Sequence, residues 1–116
     1  MKELEVLHAS IKLSIYNPDT ESTSMFGPGI AALCEGVRTA GSLNAATRQL
    51  GMAYSKAWRI VKETEDALGF QLLDRDGAHG SALTAQGNAI LNTYIELKKS
   101  LEMYAENELD NLVSAY

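Results

Sequence analysis

A chain of 116 residues is the size of one compact domain, able to bury a real core but too short to add a separate sensory domain. Apolar residues make up 46% and charged residues 22% of it, which excludes a disordered polar chain. The net charge of −5 repels polyanions, so any contact with one has to be local.

The start, Met1-Lys2-Glu3-Leu4-Glu5, lacks the basic segment and apolar run of a signal peptide, and no stretch reaches the ~20 apolar residues of a membrane span. A cytoplasmic protein without membrane contact is expected. Cys34 stands alone, which rules out an intrachain disulfide and leaves too few ligands for a cysteine-based metal site. Its place in the apolar run Ile30-Ala31-Ala32-Leu33-Cys34 reads as a buried small hydrophobe. No metal or cofactor is expected.

In chain order, Ala9, Ile11, Leu13 and Ile15 alternate with Ser10, Lys12 and Ser14, the period of a half-buried strand. Asn17-Pro18-Asp19 opens a polar turn through Ser24, and Met25-Phe26 reads as a short returning strand before Gly27-Pro28-Gly29. Pro28 suits a first helical turn and Gly41 a helix stop, which predicts a helix from about Pro28 to Thr39. Ser42 can cap a short helix, Leu43 to Leu50, ended by Gly51. A longer helix follows from about Tyr54 to Leu68 and stops at Gly69.

Phe70 to Arg75 and Ser81 to Leu83 flank Asp76-Gly77-Ala78-His79-Gly80, which predicts a hairpin, or wing, over 70–84. Thr84 can cap a last helix over 84–113, with Ile90 and Ile95 among its apolar positions at helical spacing. That helix is too long for so small a body. Its distal half, with Glu102, Glu106, Glu108 and Asp110, is expected to project and to make a homodimer. Leu91, Tyr94, Leu97, Leu101, Tyr104, Leu109 and Leu112 would then bury against a second copy. The alternative is that it folds back on the first helix of its own chain. The fold class expected is mainly α with small β-hairpins (α+β). One domain, 1–116, would hold an N-terminal strand or hairpin, a helix-turn-helix at 42–68, the wing and a long C-terminal dimerisation helix.

Charge is segregated within this frame. Between Gly36 and Lys62 there is no Asp or Glu, yet Arg38, Arg48, Lys56, Arg59 and Lys62, half of all Lys and Arg, fall there. On a helical wheel Ala57, Val61, Thr64 and Leu68 form one stripe with Ile60 beside it, and Ser55, Arg59 and Lys62 lie opposite. Glu63, Glu65 and Asp66 follow in the C-terminal half, so only the first turns would enter a groove of double-stranded DNA. Arg59 is the candidate for a base contact, since a guanidinium can donate twice to guanine. Lys56, Lys62 and Arg48 are candidates for phosphates, and Tyr54 and Ser55 for either. Ser42 belongs to the same face, Trp58 lies on the border between core and groove edge, and Arg75 and His79 fall in the wing.

Gly41-Ser42-Leu43-Asn44-Ala45-Ala46, Leu50 to Trp58, Leu68 to Arg75 and Leu83-Thr84-Ala85-Gln86-Gly87 together resemble the winged helix-turn-helix of LysR-type regulators. Phe26-Gly27-Pro28-Gly29-Ile30 and the Tyr54 to Trp58 segment narrow the resemblance to the N-terminal DNA-binding domain of ModE-type, molybdate-responsive regulators. The resemblance implies a dimeric transcription factor, with Tyr54, Ser55, Lys56, Arg59 and Lys62 at the positions of the recognition helix and Arg75 to Ser81 in the wing. Ala53 stands where the family commonly has a capping Ser. ModE-type sensors carry molybdate on separate C-terminal domains, and no molybdate site is expected in this chain. It would be a stand-alone regulator, take its signal from a partner, or be part of a longer one. The competing reading is a winged-helix protein-interaction module that pairs with another regulator. An enzyme is not expected, because His8, His79, one Cys and scattered carboxylates make no cluster of acid, base and nucleophile.

Overall fold

The computed structural model of the protein describes residues 1–74 and 82–116; the expected wing tip, with Arg75 and His79, lies outside them. Among these described residues five helices follow in order: α1 (Lys2–Glu5), α2 (Pro28–Ala40), α3 (Leu43–Leu50), α4 (Tyr54–Leu68) and α5 (Ala85–Val113). Local sequence sets most of their limits. Pro28 occupies the first turn of α2, and Gly41, Gly51 and Gly69 end α2, α3 and α4 with φ of 91°, 66° and 90°, a left-handed conformation that side chains resist. The Ser42 hydroxyl accepts from Ala45 N–H (3.0 Å) and the Thr84 hydroxyl from Gly87 N–H (2.9 Å), so both expected caps are made.

The described residues are mostly helical, as expected, with almost no strand, so the α+β part of the expectation is not confirmed. The N-terminal hairpin is reduced to one antiparallel bridge, Ile15 with Phe26, bonded at 2.9 and 2.8 Å. Ile11, Leu13 and Ile15 are half-buried while Lys12, Ser14 and Tyr16 are exposed, so the alternation survives without a ladder. The ladder stops because Pro28, two residues past Phe26, has no N–H and already begins α2. At the root of the expected wing Leu73 and Leu83 form a bridge, flanked by Asp74 N–H to the Ala82 carbonyl and Thr84 N–H to the Leu72 carbonyl, both 2.9 Å. The one-turn helix α1 was not anticipated; it buries no residue.

The core gathers Phe26, Leu33, Val37, Leu43, Val61, Leu72, Leu73 and Leu91 from every element but α1. Phe26 meets Tyr94 edge-on, with ring centroids 5.5 Å apart. A Cβ on Gly36 would lie 2.7 Å from the Cβ of Ala46, so this glycine lets α2 and α3 approach closely. The seven residues expected to face a second copy are sorted by the fold. Leu91 (0% exposed) and Tyr94 (4%) are already used in the core of their own chain, while Leu97 (40%), Tyr104 (67%) and Leu112 (61%) remain exposed. Leu101 and Leu109 are half-buried. The first half of α5 packs on α2 and its far end meets α1. None of the helices among the described residues is long and apolar enough to cross a membrane.

Cys34 is fully buried on α2. Desolvation above all, and the nearby Glu65 carboxylate, push its thiol up to about 12 from an ordinary 9.0, against a downward pull from Arg38. The thiol therefore stays protonated at neutral pH. Two outcomes are expected: iodoacetamide at pH 8 labels Cys34 only after denaturant is added, and the thiol's share of stability, full below pH 9, declines as pH rises from 9 toward 12. Rapid labelling of the folded chain would contradict this.

Candidate nucleic-acid interface

Two short helices and a tight turn build the face. After Gly51 ends α3, Met52 N–H donates to the Thr47 carbonyl (3.0 Å) and the buried Thr47 hydroxyl to the Asn44 carbonyl (2.8 Å), so the turn leaves its polar groups paired. Ala53 then precedes α4 in an extended conformation with no side-chain cap, so the first N–H groups of α4 are left to solvent or a ligand. That is the consequence of an alanine where a serine would close the helix.

From there α4 divides cleanly. Ala57, Val61, Thr64, Glu65, Ala67 and Leu68 are buried, and Ser55, Lys56, Arg59 and Lys62 are exposed. Ser55, Lys56 and Arg59 line one shallow open hollow on the outer side. Arg48 is exposed in the last turn of α3. Among the described residues none of Arg48, Lys56, Arg59 and Lys62 forms an ion pair, so no carboxylate there neutralises their charge. Tyr54 and Trp58 are half-buried and lie one turn apart with rings 6.2 Å between centroids, at the edge of this face.

Arg38 of the acid-free window and Ser42 of the expected site have other duties. Arg38 donates to the Asn88 side-chain oxygen (2.9 Å) and so ties α2 to α5. Ser42 spends its hydroxyl oxygen on the α3 cap.

The chain also positions α4 with residues that sequence reasoning missed or misplaced. Glu65, expected among the solvated acids, is buried, and its Oε2 accepts from Leu72 N–H (2.7 Å) and Leu73 N–H (3.3 Å). A helical signal was present, since Glu65 falls four residues after Val61 and three before Leu68, on the buried stripe. At the C-terminal end, Asn17 Nδ2 donates to the Leu68 carbonyl (2.9 Å) and the Thr20 hydroxyl to the Ala67 carbonyl (2.6 Å). These side chains satisfy carbonyls that the end of a helix leaves open.

A short helix, a glycine-ended turn and a second helix that turns an acid-free cationic row outward define a helix-turn-helix domain, the form that sets one helix into the major groove. Residues 32–88, from within α2 to the start of α5, match the bacterial regulatory helix-turn-helix protein, lysR family. This stretch is therefore similar to the helix-turn-helix of bacterial regulatory proteins of the lysR family. No curated protein shows significant similarity to the chain.

Proposed function

We propose that this protein is a transcriptional regulator that binds an inverted-repeat operator as a homodimer, with the first turns of α4 in the major groove of each half-site. The observation that carries this is the row Ser55, Lys56, Arg59 and Lys62, exposed and without ion pairs among the described residues of an otherwise acidic molecule. Arg59 reads a base, Lys56, Lys62 and Arg48 hold phosphates, and Tyr54 and Ser55 complete the contact at the open N-terminus of the helix. Half-sites about 34 Å apart would suit a two-fold dimer.

The homodimer is supported by α5. Leu97, Leu101, Tyr104 and Leu112 recur on one side of it, away from Glu106, with three of the four exposed. Leu91 and Tyr94 contribute only by shaping the core beneath. Within the LysR-like class, the ModE-type resemblance draws support from the buried Phe26 against Tyr94 and from Pro28 opening α2.

Binding to duplex DNA should be measurable at low salt and should weaken steeply as salt rises, because phosphate contacts release counterions. A chain that fails to shift DNA even at low salt, or that forms a salt-stable complex with another protein and releases DNA, would replace this reading with the protein-interaction module.

A further inference from the structure

One extended segment touches both α5 and the far end of α4. At its start Ala9 N–H donates to Glu106 Oε1 (2.6 Å), and His8 Nδ1 lies 3.3 Å from Glu106 Oε2. Midway the Tyr94 hydroxyl donates to the Leu13 carbonyl (3.2 Å), Leu13 and Ile15 pack on the core, and Ile15 pairs with Phe26. At its end Asn17 and Thr20 hold the Leu68 and Ala67 carbonyls of α4. The holding groups are themselves fixed: Asp19 N–H donates to Asn17 Oδ1 (2.9 Å), and the Thr20 hydroxyl lies 3.3 Å from the Asn17 carbonyl. The side chains between alternate in burial as on an extended chain, which has little slack to absorb a displacement at either end.

We infer that Asn17 and Thr20 are positioning residues for α4, and that Glu106 anchors the strap carrying them, so that the state of distal α5 is passed to the DNA-facing helix. This rests on the reading of α4 as that helix. Glu106 belongs to α5, which contributes none of the cationic row. Electrostatics and mechanics therefore make opposite demands on it. Removing an acid should tighten binding to a polyanion, whereas releasing the strap should loosen it.

The test compares Glu106→Ala, Glu106→Gln and the double variant N17A/T20V, each in the full chain. Two quantities are read: amide exchange in the last turn of α4, and affinity for a duplex of random sequence. Sedimentation would be used to choose a concentration at which all variants have the same mass. Glu106→Ala is expected to speed exchange at Leu68 and Gly69 and to weaken DNA binding at least about threefold, within the range of mutational effects on coupling. Glu106→Gln loses the same charge but keeps an oxygen for Ala9 N–H, so it should bind at least as tightly as the parent. N17A/T20V should reproduce the Ala effect, and adding Glu106→Ala to it should change little more, whereas independent sites would add.

Unchanged exchange at the end of α4 in Glu106→Ala, or binding as tight as in Glu106→Gln, would overturn the link and leave the DNA reading intact. Faster exchange in Glu106→Ala, together with a parent protein that binds no DNA, would uphold the link and remove the DNA reading.

Discussion

Replacing Gly87 by alanine should destabilise the protein by about 2 kcal/mol, although helix propensity alone predicts a gain of up to about 1 kcal/mol in a helix interior. A Cβ at this position would collide with the Leu72 carbonyl oxygen and come within 3.1 Å of its carbon, both of them backbone atoms that cannot rotate aside. That carbonyl already accepts from Thr84 N–H, and the Thr84 hydroxyl donates to the Gln71 carbonyl (2.6 Å) while capping α5. The clash therefore falls where α5 is joined to the root of the expected wing. Overpacking costs about 1–3 kcal/mol where neighbours can yield, and backbone yields less than side chains. Gly29→Ala is the matched control, because nothing lies within 4 Å of its Cβ and it sits on the exposed side of α2. Urea unfolding should move the two midpoints in opposite directions. Equal shifts would show that the approach of α5 to Leu72 is not tight.

Arg59→Ala should erase sequence preference, at a cost of about 1–3 kcal/mol on a preferred operator and little on random DNA. Lys62→Ala should instead weaken all sequences alike and lower the salt slope by about one. Both side chains are exposed and without ion pairs among the described residues, so neither substitution should change folding by more than about 0.5 kcal/mol. The difference lies in donor geometry. A guanidinium offers a planar fork that fits guanine, and an ammonium acts as a point charge. Measuring affinity for a preferred and a scrambled duplex over a range of salt separates the two roles. Identical behaviour of the two variants would refute the division.

The helices around the cationic row were legible because their limits are local. Ser42, Gly51 and Gly69 act on their immediate neighbours, and the 3.6-residue period separates Ala57, Val61 and Leu68 from Ser55, Arg59 and Lys62 with no knowledge of the rest of the fold. Features that depend on distant partners were not legible. The alternation at Ile11 to Ile15 reports a surface beneath it but not a second strand beside it. Asn17 and Thr20 reach carbonyls 51 and 47 residues away, and no pattern near them points to α4. Leu91 and Tyr94 show the same limit: periodicity gives the apolar face of α5, not which body covers it. Glu65 is the exception that could have been found, since its stripe position was visible and only its charge argued against burial.

The central claim is that α4 presents a DNA-binding face, and selection from a pool of random duplexes by the intact protein at low salt tests it most directly. The account predicts enrichment of an inverted repeat with half-sites about one helical turn apart, and loss of that enrichment in Arg59→Ala. Recovery of no DNA above background, or of the same sequences with Arg59→Ala, would contradict it.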